Sequence, residues 1–354
     1  MSVDTVPVGV IGAGVISGVY LDRLTSSEGI EVVAIGDLVP ERARERAKAH
    51  GIAVGGTPAD VLDDPRVRIV VNLTVPAAHA ELTLAALERG KHVWSEKPIA
   101  LDRGDADAIV ERAAEAGLRV GVAPDTLLGD AFETSLAAIR DGVIGRPLFA
   151  QAAIQNAGPD LWHPAPEFLF ARGGGPVLDM GPYYVTALVR IFGPVADVTA
   201  VGQRPETSRT VRTGPARGTR FPVEVDSTVS AIVRFENGAH AQLLFSFDSP
   251  LRRAGFLEVT GTTATLALPD PNRFDGAPRI IRAGVEEWTA LAAPAAPESR
   301  GLGVSRLAAS LRDGTPTPAS AELGRHVLDV LLSIEESAAR TERVAVRSTL
   351  DVPS

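Results

Sequence analysis

Two glycines and one carboxylate near the start of the chain are spaced to hold a dinucleotide. In VGVIGAGVIS, Gly12 and Gly14 follow an apolar run and precede a helical stretch. The first lets the chain turn tightly, and the second leaves room for a pyrophosphate to approach backbone N–H groups at a helix N-terminus, where the dipole favours anions. Val15 and Ile16 open that helix beside the same phosphates, and Ser17 takes the third fingerprint position. Asp37 ends EVVAIGD about 20 residues further on, where an acid accepts hydrogen bonds from an adenosine ribose. Its charge would repel a 2′-phosphate, which favours NAD, while Arg42 and Arg44 close by leave NADP possible. The alternatives are a ligand-free strand–helix turn and an Asp37 that only caps the helix begun by LVPERARERA. Lys97 precedes Pro98, which keeps it on extended or turning backbone at a strand end, the edge where ligands bind in such sheets. His163, in PDLWHPAPEF, titrates near 6.5 without help and is a ready base, or else a loop histidine capping the next turn. Trp162 beside it offers a ring to a CH-rich sugar face, or plugs a loop.

Composition removes other chemistries. The 354 residues include no cysteine, which excludes disulfides, thiolate metal sites and cysteine nucleophiles. Six histidines lie scattered without ligand spacing, so no metal is expected. No GxSxG motif is present. A formal charge of -9 argues against nucleic acid as a partner. No apolar run approaches the roughly 20 residues that span a bilayer, and MSVDTVPVGVIG carries an acid rather than a basic leader, so no membrane partner and a cytoplasmic location are expected.

The positioning elements read as two domains, consistent with a 45% hydrophobic chain of this length. Over residues 1–125, strands at Val8–Ile11, Val32–Ile35, Ile69–Leu73, His92–Trp94 and Arg119–Val122 alternate with amphipathic helices. That alternation predicts a doubly wound, parallel α/β sheet of the dinucleotide-binding Rossmann kind. Over 126–354, strands at Phe149–Ile154, Val195–Val201, Thr228–Phe235, Ala239–Phe247, Phe256–Thr260 and Ala264–Ala267 predict an α+β domain with a mainly antiparallel sheet. Asn237-Gly238 marks a hairpin in it. Pro205–Pro222 and LAAPAAPES read as exposed loops, and helical periodicity returns over about 303–340.

Reading on to NLTVPAAHAELTLAALERGKHVWSEKPIA, the chain resembles the Gfo/Idh/MocA oxidoreductases, the family of glucose-fructose oxidoreductase and inositol dehydrogenase. The resemblance rests on the glycine turn, Asp37, Thr74-Val75-Pro76 with His79, Glu96-Lys97-Pro98, then DGVIGRP and GGGPVLDMG, and so covers almost the whole chain. It implies an NAD(P)-dependent enzyme whose second domain has a large open sheet, used for homodimer or homotetramer contacts. Thr74, Pro76, His79, Glu96 and Lys97 are then cofactor-side residues, with Lys97 beside the nicotinamide and the reacting hydroxyl and its bond to Pro98 commonly cis. Sugar and cyclitol dehydrogenases of the family follow the triple glycine with an Asp and, four residues on, a His. Here Asp179 matches and Tyr183 replaces the His. Where the family often has an Asn-Arg pattern, Asp125 and Thr126 offer acceptors that suit neutral, hydroxyl-rich substrates. Arg172 is the remaining cation for a carboxylate or ring oxygen, or else a surface ion pair.

The implied reaction moves a hydride between nicotinamide and a hydroxyl or keto carbon of a sugar, glycoside or cyclitol while a base takes the hydroxyl proton. Bringing a tyrosine from about 10 to about 7 takes roughly 4 kcal/mol, and an ammonium about 4 Å away supplies that at an effective dielectric near 20. Lys97 would thus make Tyr183 serviceable, with Asp179 orienting the lysine or binding a neighbouring hydroxyl, and His163 or Lys97 alone as rival bases. An NAD-recycling glycosidase or lyase, which passes through a transient keto-sugar, is the alternative. Intact Lys97, Asp179 and Tyr183 argue against a non-catalytic nicotinamide sensor.

Overall fold

Short β-branched runs separated by Ala-, Glu- and Arg-rich stretches become strands and helices in regular alternation through the first third of the chain. In a computed structural model, which describes residues 5–292, 298–317 and 319–350, these are β1 (Val6–Ile11), α1 (Val15–Leu24), β2 (Ile30–Gly36), α2 (Pro40–His50), β3 (Val54–Gly56), α3 (Pro58–Leu62), β4 (Ile69–Asn72), α4 (His79–Glu88), β5 (His92–Ser95), α5 (Arg103–Ala116) and β6 (Val120–Val122). There follow α6 (Asp130–Arg140), β7 (Pro147–Gln155), α7 (Gly175–Phe192), β8 (Val195–Gln203), β9 (Ser208–Thr210), β10 (Arg220–Pro222), β11 (Thr228–Phe235) and β12 (His240–Ser246). The chain closes with β13 (Arg253–Gly261), β14 (Ala264–Ala267), β15 (Arg279–Arg282), β16 (Thr289–Ala290), α8 (Leu302–Asp313), α9 (Ala321–Arg340) and β17 (Val344–Ala345). Among the described residues, no helix is long and apolar enough to cross a membrane.

The chain divides into two units, Met1–Gly129 with Glu298–Arg325, and Asp130–Pro297 with His326–Ser354. The first boundary falls close to the expected 125/126, while Glu298–Arg325, expected within the second domain, groups with the first unit. The segment carrying α8 returns to the first unit, because Gly303 lets the helix start press against the ring of buried Trp94.

In the first unit, six parallel strands run in the order β3-β2-β1-β4-β5-β6. Val8, Val10, Ile35, Ile69 and Val71 are fully buried, as expected where helices cover both faces of a parallel sheet. α2 begins at Pro40 and stops at Gly51, whose left-handed φ of 68° closes the helix end. β3 has only one apolar side chain in VGG and was not anticipated.

In the second unit, nine strands run in the order β16-β15-β14-β13-β7-β12-β11-β8-β17, antiparallel apart from the parallel pair β7–β12. Along β11, Val229, Ala231, Val233 and Phe235 are buried, while Ser230, Ile232 and Arg234 point outward. Such alternation belongs to a sheet with one covered and one open face. Asn237 Oδ1 accepts from Ala239 N at 2.9 Å, and Gly238 has φ 88° in the β11–β12 turn. Pro205–Pro222 is not simply an exposed loop: β9 and β10 pair within it, and its sparse apolar residues Val211 and Phe221 are buried with Leu169, Phe170, Val223 and Phe247. Of LAAPAAPES, residues 293–297 lie outside the described residues.

Candidate functional site

A parallel sheet sends the carboxyl ends of all its strands to one edge, and in the first unit five loops leave from that edge. They carry Gly12, Asp37, Thr74, Lys97 and Asp125 after β1, β2, β4, β5 and β6. The strand order reverses between β1 and β4, the place where open α/β sheets take ligands.

The glycine turn fits a dinucleotide. Gly12 has φ 108°, and a Cβ there would lie 2.6 Å from Leu73 O, whereas one at Gly14 would meet nothing within 4 Å. Gly14 caps α1 without a side-chain hydrogen bond, and the first turn holds no acid, so its N–H groups and dipole suit phosphate. Val15 is 93% exposed and Leu38 89% exposed, with Val39 and Val75 also open on the rim. Ile16 is half-buried. Asp37 ties the glycine turn to the start of α2, since Oδ2 accepts from Ala13 N at 2.7 Å and Oδ1 from Val39 N, the cap residue of α2, at 2.8 Å. Arg44 is paired with exposed Glu41 at 2.8 Å. Arg46, which the sequence did not single out, reaches Gly14 O at 3.4 Å. Its position one helical turn beyond Arg42 was the available signal.

The seat of Lys97 is built from residues far apart in the chain. The Lys97–Pro98 bond is cis. Glu96, nearly buried, accepts from Lys97 N at 3.1 Å through Oε2 and from Tyr20 of α1 at 2.8 Å through Oε1. Trp94 Nε1 lies 3.4 Å from the same tyrosine hydroxyl. Burial beside Asp125 and Glu96 pushes Tyr20 well above its ordinary range, so it stays a donor. Tyr20 was missed because one tyrosine in VISGVYLDRL gives no local sign of a partner on another strand. Tyr20→Phe would leave Glu96 Oε1 without its donor, at a cost of about 1–3 kcal/mol. A denaturant melt with the wild-type midpoint would contradict this.

His79, Glu96 and Asp125 do not stand as open ligand groups. His79 is buried with Nδ1 2.6 Å from Pro98 O and Nε2 3.1 Å from Thr74 O. Burial lowers its pKa against the pull of both carbonyls; a neutral ring donates to one of them, and the shorter contact is to Pro98 O, so the buried ring ties α4 to the Lys97–Pro98 loop. Asn72, also missed, accepts from Thr74 Oγ1 at 2.7 Å and donates to His79 O at 3.1 Å. Pro76 opens a 3-10 turn, Pro76–Ala78, beside them. Asp125, expected among substrate acceptors, is fully buried, accepts from Gly301 N at 2.7 Å and lies 3.6 Å from Arg300. Burial raises it to about 6. Its role follows from the return of segment 298–325, which no local pattern announces. Among the described residues, no three His, Asp or Glu side chains group as a metal would require.

In the second unit, α7 runs unbroken from Gly175 through Pro182 to Phe192. Asp179, half-buried, and Tyr183, buried, stand four residues apart on it, the spacing that shares a helix face. Trp162 is 67% exposed and meets His163 edge-on at 5.6 Å between ring centroids. His163 Nδ1 accepts from Ala165 N at 3.1 Å. A neutral ring in that arrangement carries its proton on Nε2, with Nδ1 engaged by Ala165 N. Arg172, offered for a substrate anion, donates its backbone N–H to Glu224 at 3.3 Å, and its charge acts on Glu335.

Glu335 on α9 is a half-buried carboxyl with a readable consequence. Burial first, and then Asp226, push it up to about 7 against the pull of Arg172. A carboxyl raised on folding contributes stability below its ordinary range near 4 and loses it as pH rises through its folded value. Half-buried His92, held down to about 4, runs the opposite way, so a variant isolates the effect. Glu335→Gln is expected to be more stable than wild type at pH 8, by about 2–3 kcal/mol at most, with little advantage at pH 5. Thermal melts at the two pH values that differ equally would refute it.

Residues 6–123 match an oxidoreductase family with an NAD-binding Rossmann fold, and residues 132–267 match the GFO/IDH/MocA C-terminal domain. The chain is 29% identical to trans-1,2-dihydrobenzene-1,2-diol dehydrogenase of Oryctolagus cuniculus, over 74% of this chain and 75% of that protein. It is 31% identical to 1,5-anhydro-D-fructose reductase of Ensifer adhaerens, over 73% and 74% respectively. A solved structure of levoglucosan dehydrogenase in complex with NADH and levoglucosan matches with TM-score 0.83 over 97% of this chain and 99% of that one. At 22% identity that likeness speaks for the fold.

Proposed function

Because the chain belongs to the Gfo/Idh/MocA family of oxidoreductases, we propose that it transfers a hydride between NAD and a secondary hydroxyl or keto carbon of a sugar, glycoside or cyclitol. The seat of Lys97 carries the reading: a cationic side chain on a strand-end loop, fixed from behind by Glu96 and Tyr20 and by buried His79. The sugar and diol named for the two relatives support the substrate class. Bound NAD supplies the hydride acceptor, or as NADH the donor. Lys97 orients the reacting oxygen and stabilises negative charge on it as its proton leaves. Tyr183 takes that proton in oxidation and returns it in reduction. The engagement of His163 Nδ1 by Ala165 N supports Tyr183 over it. Asp37 favours NAD over NADP at the ribose.

The test is absorbance of reduced nicotinamide with NAD, then NADP, against a panel of sugars, glycosides, inositols and their keto forms. Stoichiometric NADH with one class bears the proposal out. Glycoside consumption without net NADH would replace it with the NAD-recycling glycosidase or lyase. The open face of the nine-stranded sheet, with Val201, Ile232, Leu244 and Phe256 outward, supports a homodimer or homotetramer. A monomer by size-exclusion chromatography at micromolar concentration would contradict that.

A further inference from the structure

The aromatic pair Trp162–His163 sits on a turn whose fixing cation comes from a different part of the second unit. Arg209 of β9 is inward, its side chain only 12% exposed. Nη1 donates to Asp160 Oδ1 at 2.8 Å and to Ala157 O at 3.0 Å. Nη2 donates to Phe247 O at 2.8 Å and to Asp248, and the guanidinium carbon lies 4.9 Å from the centroid of the Phe170 ring. Asp248 is itself oriented by Ser227 and Thr228, each at 2.7 Å. Gly158 has φ 107°, and any Cβ there would run into the guanidinium. The segment 157–160 is therefore folded directly around a cation. The 3-10 turn Pro159–Leu161 continues from it, and the N–H groups of Trp162 and His163 both close on Pro159 O, at 3.1 and 2.7 Å.

A planar fork with four diverging acceptors and a ring against its face is arginine chemistry; lysine keeps the charge and loses the fork. Trp162, by contrast, leaves most of its ring to solvent. An exposed aromatic on a turn this tightly tied loses little freedom when a ligand stacks on it.

We propose that Arg209 is a positioning residue for substrate, holding the Trp162 ring in place for the CH-rich face of a hydroxylated six-membered ring. This rests on the sugar or cyclitol reading above. Arg209→Lys is expected to raise KM for the substrate by about tenfold or more, with kcat within about threefold, and to leave the NADH dissociation constant unchanged. Trp162→Ala should raise KM similarly, and the double variant should add nothing further, because both changes remove one interaction. Hydrogen exchange of segment 157–168 should accelerate in Arg209→Lys. Unchanged exchange, a fall in kcat in place of a rise in KM, or full additivity in the double variant would overturn the inference. Should Arg209→Lys fail to fold, Asp248→Asn, which keeps the pair with Asp160, carries the same measurements. A wild type silent on the whole substrate panel, with exchange still accelerated in Arg209→Lys, would reject the function proposed above and leave the anchoring of the turn supported.

Discussion

Lys97→Ala protein is expected to turn over at about a hundredth to a ten-thousandth of the wild-type rate while still binding NADH. The two halves of that result have separate causes. On the proposed reading, coenzyme binding draws on the α1 N-terminus, the Gly12 turn and Asp37, none of which the substitution alters. In the proposed reaction, turnover draws on the ammonium that meets charge developing on the reacting oxygen, an interaction strongest in the transition state and so visible in kcat as well as kcat/KM. The backbone seat should survive, since the bond from Lys97 N to Glu96 Oε2 is made by the main chain and is kept in the variant. Steady-state rates beside a fluorescence titration of NADH give both numbers. Wild-type turnover in the variant would remove Lys97 from the mechanism, and lost NADH binding would show that it holds the coenzyme.

Tyr183→Phe is expected to lower turnover by about a hundredfold or more and to abolish the limb of the pH–rate profile that reports its hydroxyl. The ring stays buried on an unbroken helix when one oxygen is removed, and a thermal melt beside the rates separates lost chemistry from lost packing. His163→Asn is the companion variant. If Tyr183→Phe keeps the wild-type profile and His163→Asn flattens it, the base is the histidine, which would then have to release Ala165 N to free Nδ1.

The glycine turn, the strands β1, β2, β4, β5 and β6 of a parallel sheet and the Lys97 loop were legible because their signals are local. Buried parallel strands read as apolar runs, and Gly12, Asp37 and Lys97 sit directly at their ends. Pairings between distant segments were not legible. Tyr20 meets Glu96 across 76 residues and Gly301 meets Asp125 across 176, and neither carries a periodicity that names its partner. The same holds for Arg209, whose neighbours in Pro205–Pro222 are polar enough to read as solvent-facing while two short strands and two buried apolar side chains tie them to the core. His79 was assigned to the cofactor and Asp125 to the substrate from the motif alone, whereas both side chains are buried and engaged within the fold.

The return of Glu298–Arg325 to the first unit makes the coenzyme domain discontinuous, which has a consequence during synthesis. The six strands leave the ribosome long before Arg300 and Gly303 do. At about 5–20 residues per second, that delay is roughly 10 to 35 s. Through that interval the Trp94 ring lacks the glycine face that later covers it, and Asp125 lacks its counter-charge. A nascent chain released after residue 129 should therefore be a poor NADH binder and a good chaperone client, and adding segment 298–325 as a separate peptide should restore the first property and relieve the second.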